Sequence, residues 1–285
     1  MSRRILANFP VIDRPVALAL AALGLWSTFA ALAIRLRGVP PFLLLGCALT
    51  LGAAVGIRGL TFRGLRPGVL LLGVYGLFAY HLCMLLALRL APPVEANLLN
   101  YLWPLLIVVL SPLIVPGTPL TARHVAGAAL GFTGAALIIL TGGRTGFSAG
   151  ALPGYALATA AAVVWSTYSL MTKRFGGFST SAVSVFCLVS GALALLCHAL
   201  FEPRYLLSRA EAPSLLLIGL GPMGAAFYLW DRAMKDGDPR VIGTLAYLTP
   251  LISTALIAAL GLGRLSAASA AAGALIVAGA ALGAR

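Results

Sequence analysis

The chain has 285 residues, 61% of them hydrophobic and 9% charged, with 20 Lys and Arg against 7 Asp and Glu. A soluble domain is nearer half apolar and a quarter charged, so this sequence cannot cover its surface with polar groups, and the solvent it implies is lipid. The basic residues stand singly or in pairs between apolar runs, the pattern of membrane-interface anchors, which argues against nucleic acid as a partner.

A spanning helix needs about 20 mostly apolar residues. In chain order, runs punctuated by Arg, Lys, Pro and Gly predict ten helices, at 15–34, 39–57, 68–88, 94–115, 123–141, 153–172, 178–200, 213–233, 240–261 and 267–283. The start, "MSRRILANFPVIDRP", has the outline of a signal peptide, but the apolar run behind it continues to Ile34 and is read as a retained first helix. The runs do not alternate in polarity as barrel strands would. The longest connections, 58–67 and 201–212, leave no room for a soluble domain. Cys47, Cys83, Cys187 and Cys197 lie inside apolar runs without metal-ligand spacing, so they are expected to pack rather than to form disulfides or hold a metal. An even number of spans puts both termini on one side, which collects 13 of the 20 basic residues against 7 opposite. The positive-inside rule makes that side the cytoplasm.

The sequence repeats itself. At a shift of 139, Trp26-Ser27-Thr28-Phe29 falls on Trp165-Ser166-Thr167-Tyr168, and 8 of 12 positions agree between 17–28 and 156–167. At a shift of 146, "NYLWPLL" (100–106) falls on "AYLTPLI" (246–252), aligning Tyr101 with Tyr247 and Pro104 with Pro250, with Arg89 on Lys235 and Pro93 on Pro239 upstream. The chain therefore divides into an N-terminal segment 1–14, a five-helix repeat 15–141, a connection 142–152 and a second repeat 153–285. Because five is odd, the second repeat enters the membrane from the opposite face. The predicted fold is an all-α membrane protein of two inverted five-helix repeats around a central cavity, the plan of many secondary transporters.

The repeated Trp-Ser-Thr, the prolines of helices 4 and 9 and the stretch Glu95-Ala-Asn-Leu-Leu-Asn-Tyr-Leu-Trp-Pro104 resemble the drug/metabolite transporter superfamily, in its ten-helix EamA-type branch, and within it the YddG-type group of aromatic amino-acid exporters. The resemblance spans essentially the whole chain. It implies a ten-helix basket in a bacterial inner membrane that exports aromatic amino acids and other neutral ones such as methionine and threonine. The related four-helix multidrug pumps carry a Glu in helix 1. No carboxylate lies between Pro15 and Ile34 here, so that proton-coupling scheme does not transfer.

Intramembrane polar residues are costly and usually face a cavity or a neighbouring helix. On helix 4, Asn97, Tyr101 and Pro104 share a stripe, with Asn100 and Trp103 beside it. The amides and phenol suit the ends of a zwitterion, and the rings suit an aromatic side chain; helix–helix hydrogen bonding is the alternative role. Pro104 and its counterpart Pro250 are hinge or gating candidates, since a mid-helix proline frees a carbonyl. Tyr247 mirrors Tyr101, whereas Ala246 and Thr249 stand where the first repeat has Asn100 and Trp103. Helix 3 offers Tyr80, His81 and Met84, and helix 8 places Phe227 and Trp230 opposite. His81 is expected to bond a neighbouring helix, to donate in its neutral form to a substrate carboxylate, or to titrate during transport. Trp26, Trp165 and Tyr168 sit at mid-membrane, lining the cavity or packing the repeat interface. Ser27, Thr28, Ser166 and Thr167 are expected to bond their own helices. Glu95 is expected to complement the helix 4 dipole or to meet an ammonium group, and Asp231 and Arg232 to reach from the end of helix 8 towards water.

No nucleophile–base pair, metal-binding set, H-E-x-x-H or G-x-S-x-G is present, so neither enzyme nor cofactor is expected. Glycines spaced by four (Gly52/Gly56, Gly127/Gly131, Gly279/Gly283) suit close packing within one protomer, which is expected to be a monomer. The leading reading is an alternating-access exporter of neutral amino acids. The alternatives are a broader drug, metabolite or nucleotide-precursor exporter, and a non-transporting scaffold or lipid handler.

Overall fold

The computed structural model describes residues 13–62, 65–141, 146–262 and 266–283; among these the regular secondary structure is entirely helical. Among the described residues eight helices are long and apolar enough to cross a membrane: α1 (Arg14–Leu36), α3 (Pro67–Leu90), α4 (Pro93–Ile114), α5 (Ala122–Leu140), α6 (Ala149–Arg174), α7 (Ala182–Phe201), α8 (Ala212–Asp236) and α9 (Pro239–Ala259). Two shorter apolar helices, α2 (Pro41–Ala54) and α10 (Ala267–Gly283), complete the bundle. Proline opens helical segments throughout, as at Pro41, Pro67, Pro93 and Pro239, where its missing N–H has no intrahelical acceptor to serve.

At 14 residues α2 is shorter than the run 39–57 suggests, and its rise of about 21 Å falls below a bilayer core of about 30 Å. Its N-terminus is sealed by Glu202, whose carboxylate accepts from the amides of Phe42 and Leu43 at 3.0–3.2 Å. Its far end passes through Gly56 into a 3₁₀ turn at Ile57–Gly59.

The pairings are α5 with α10, α2 with α7, α3 with α6, α1 with α8 and α9, and α4 with α6 and α9. Small residues permit the closest approaches. A Cβ on Gly127 would lie 2.7 Å from the Gly279 carbonyl, and one on Gly191 3.1 Å from that of Gly46. Gly52 abuts the Met223 carbonyl, and Gly56 faces Ser184 and Tyr228. The glycines singled out in the sequence thus serve contacts inside the chain.

Four helices are irregular. Single π-turns interrupt α3 at Tyr75–Ala79 and α8 at Gly221–Ala225, 146 residues apart. The helical ladder of α4 breaks at Tyr101–Leu102, and that of α9 at Ala246–Tyr247. The breaks precede Pro104 and Pro250, which lie in the first turns of the segments that follow rather than at mid-helix.

An ion-pair cluster ties the helices at each end of the bundle. At one end Glu202 accepts from Arg89 (3.2 Å) and pairs with His198 (2.9 Å), with the Arg89 guanidinium over the Phe42 ring. At the other, where Gly237 meets Pro15, Lys235 pairs with Asp231 at 2.7 Å and lies over the Phe178 ring. Thr180 donates to the same Asp231 oxygen. Asp231 is therefore buried in a network, correcting the expectation that it reaches towards water; Arg232, half-exposed, pairs with Asp236. Arg89 and Lys235 are the counterparts that the 146-residue shift aligns.

Gly127→Leu should cost about 1–3 kcal/mol, because the new side chain meets backbone that cannot rotate away. Thermal unfolding in detergent measures this, with Gly150→Ala, where nothing lies within 4 Å, as the neutral control. Equal midpoints for the two variants would show that the α5–α10 contact does not limit stability.

Candidate substrate site

The chain contains four tryptophans, and all four meet at the centre. Trp26 comes from α1, Trp103 from α4, Trp165 from α6 and Trp230 from α8. Each of the six pairs has ring centroids within 6.5 Å, from 5.1 Å for Trp26–Trp230 to 6.5 Å for Trp165–Trp230. Most meet edge to face, the geometry that the ring quadrupole favours. Phe227 joins from α8, 5.8 Å from Trp165, and Tyr80 from α3, 5.3 Å from the same ring. Tyr168 packs beside Trp165 at 5.4 Å and lies on Gly76 in the α3 π-turn. Trp26 Nε1 donates at 3.0 Å to the Pro222 carbonyl in the α8 π-turn, and Trp230 Nε1 donates at 3.0 Å to Ser169. The indoles of Trp26 and Trp230 are thus fixed by their polar edges.

One side of this cluster is polar. Asn100 Nδ2 donates to the Tyr80 hydroxyl at 3.3 Å, and Asn100 Oδ1 is buried without a partner. His81 lies edge-on to Tyr80 at 4.8 Å. Its Nδ1 is 2.5 Å from the Leu77 carbonyl, which can only accept, so Nδ1 carries a proton. In the neutral ring Nε2 is then an acceptor. This corrects the expectation that neutral His81 donates to a carboxylate. Met84 is half-buried one turn further along α3.

Asn97 and Tyr101 are placed elsewhere. With Pro250, Ser253 and Thr254 they line a separate crevice of about 350 Å³ between α4, α5 and α9. The stripe read along helix 4 is therefore divided: Asn100 and Trp103 turn to the cluster, Asn97 and Tyr101 to the crevice. Tyr247 joins neither; its hydroxyl accepts from the Leu105 N–H at 3.0 Å. That amide has lost its helical place at the α4 break, and Tyr247 caps it. Pro104 and Pro250 are both buried beside the breaks.

Of the hydroxyls expected to bond their own helices, Ser27, Thr28, Ser166 and Thr167 all do. Ser27 also lies 3.1 Å from the Thr249 carbonyl on α9, and Thr167 2.8 Å from the Tyr75 hydroxyl on α3. Thr249 itself buries an unpartnered Oγ1, which the sequence reading did not select. Its one signal was position: it stands where the first repeat has Trp103. Glu95 is buried and accepts from the Gly146 N–H at 2.7 Å, holding the chain after α5 against α4. No group of His, Cys, Asp and Glu that could hold a metal occurs among the described residues.

These features define a class: a multi-pass helical membrane protein with discontinuous helices and an aromatic centre, the features of a small-molecule transporter. The EamA-like transporter family matches residues 15–140 and 152–284, and the chain belongs to that family. It is 45% identical over 271 residues to the aromatic amino acid exporter YddG of Ancylobacter novellus, covering 92% of this chain and 93% of that protein. The exporters of the same name from Salmonella typhimurium and Escherichia coli are 28% and 27% identical, each over 85% of this chain and 86% of the relative. A solved crystal structure, 43% identical, matches with a TM-score of 0.91 over 95% of this chain and 98% of its own.

Tyr247→Phe should leave the Leu105 amide unpaired and cost about 1–3 kcal/mol. Hydrogen exchange read by mass spectrometry should show faster exchange at 102–106 in the variant. Unchanged exchange there would mean that the hydroxyl does not hold the break.

Proposed function

We propose that this chain exports aromatic and other neutral amino acids, of the phenylalanine, tryptophan, tyrosine, methionine and threonine class, by alternating access. The observation that carries the reading is the meeting of all four tryptophans at one point between four helices. Such a centre suits flat apolar side chains and offers nothing to a polyanion or a metal ion. The names of the relatives favour the same substrates. The chain is read as a transporter, not an enzyme, acting as a monomer in a bacterial inner membrane with both termini cytoplasmic, the side richer in Lys and Arg.

Several features support ten spans in two inverted repeats. The family matches the chain twice, once in each half. The π-turns fall at the 146-residue shift. The pairings exchange consistently: α1 with α8 mirrors α6 with α3, and α1 with α9 mirrors α6 with α4. The two ion-pair clusters at opposite ends are natural closures for the two faces. In this mechanism the substrate ring enters from the cytoplasmic side and replaces an indole–indole contact at the centre. The cluster at the far end then parts, and the substrate leaves past the crevice of Asn97 and Tyr101. With no carboxylate on α1 within the membrane, export down a gradient suffices.

The test is flux of labelled phenylalanine in proteoliposomes. The wild-type protein should carry it well above the rate of empty liposomes. Trp165→Ala should lower the initial rate about tenfold, the worth of one aromatic pair, at equal amounts of folded protein. Phenylalanine, tryptophan and methionine crossing no faster than through empty liposomes would leave the scaffold or lipid-handling reading in its place.

A further inference from the structure

Resting on the amino-acid reading above, the structure assigns the two charged ends of the substrate: Asn100 Oδ1 takes the α-ammonium, and the Thr249 hydroxyl donates to the α-carboxylate. The first observation is a shortage of partners. Five side-chain polar atoms among the described residues are buried without a hydrogen bond: Glu95 Oε2, Asn100 Oδ1, Ser190 Oγ, Asp231 Oδ1 and Thr249 Oγ1. Leaving such a group unmade costs about 1–3 kcal/mol, so each calls for a reason. Glu95 is anchored through its other oxygen to Gly146, and Asp231 through its other oxygen to Lys235 and Thr180 in the ion-pair cluster at the end of the bundle. Ser190 lies in α7, which pairs with α2. Asn100 and Thr249 remain: Asn100 is one side chain from the tryptophans, and Thr249 stands at the counterpart of Trp103, against α1. Asn100 bonds Tyr80, which packs on Trp165. The Thr249 carbonyl meets Ser27, the chain neighbour of Trp26.

The second observation is where the pair sits on the broken helices. Asn100 is the last residue of the segment Pro93–Asn100, at the negative end of its dipole. Thr249 lies in the first turn of the segment Leu248–Ala259, at the positive end. The local fields therefore match the side chains. An amide oxygen at a helix C-terminus favours an ammonium, and a hydroxyl at a helix N-terminus favours a carboxylate. Neither residue is ionised, so neither carries the desolvation cost of a buried charge when the site is empty. The acceptor edge of neutral His81, beside Tyr80, adds to the ammonium side.

The test is equilibrium binding to purified protein, read by tryptophan fluorescence, with phenylalanine, 2-phenylethylamine (ammonium without carboxylate) and 3-phenylpropionate (carboxylate without ammonium). Asn100→Leu and Thr249→Val remove the hydrogen-bonding groups at nearly constant volume. Size-exclusion profile and unfolding midpoint report that each is folded. Both variants should bind phenylalanine about ten- to a hundredfold more weakly, the worth of a hydrogen bond to a charged group. Asn100→Leu should leave 3-phenylpropionate unaffected and Thr249→Val should leave 2-phenylethylamine unaffected. Wild-type phenylalanine affinity in either variant, equal losses for both analogues, or the crossed pattern would overturn the assignment. If an analogue binds too weakly to measure, the phenylalanine affinities decide. Failure of the wild-type protein itself to bind or carry phenylalanine would overturn the amino-acid reading instead.

Discussion

Within a bilayer a backbone N–H or C=O has no water to turn to, so every departure from a regular helix has to be satisfied from within the protein. Three of the four irregularities here are met by a side chain from the other half of the chain, and in the α3 π-turn the Leu77 carbonyl is taken by His81 of the same helix. The Leu105 amide, displaced at the α4 break, is taken by Tyr247. The Pro222 carbonyl in the α8 π-turn is taken by Trp26, and the Thr249 carbonyl beside the α9 break is approached by Ser27. The breaks are therefore joints held by hydrogen bonds between the halves, and moving one half against the other must exchange those bonds.

That constraint places the aromatic centre. Trp26 and Trp103 belong to the first half, Trp165 and Trp230 to the second, so the cluster spans the surface along which the halves would move. The ion pairs at the two ends have the same character. Arg89 and Lys235 occupy corresponding positions, each pairs with a buried carboxylate, and each lies over a phenylalanine ring. One repeated position thus produces an ion-pair cluster at each end, with different partners: His198 joins the first, Thr180 the second.

Much of this was legible in the sequence. The apolar runs mark the helices because a lipid-facing helix has no polar alternative, and the shift of 146 aligns the π-turns and the paired cations. The site was legible in part. The tryptophans, Tyr80, Asn100 and Phe227 converge as their positions suggested. Helical spacing placed Asn97 and Tyr101 with them, but on the segment before the α4 break those two face the crevice against α5 and α9 while Asn100 faces Tyr80. Spacing could not reveal that Tyr247 spends its hydroxyl on a backbone amide, or that Asp231 is buried, because those roles depend on neighbours far along the chain. Thr249 was visible as a mismatch between the repeats, without the burial that gives the mismatch meaning.

In the proposed function the substrate ring lies at the tryptophan cluster. Co-crystallisation with 4-bromophenylalanine tests this most directly, because the anomalous signal of bromine marks the ring without reference to the protein. The account predicts a peak in contact with Trp165 and its neighbouring indoles. A peak in the crevice beside Asn97 and Tyr101, with the four indoles still packed on one another, would contradict it.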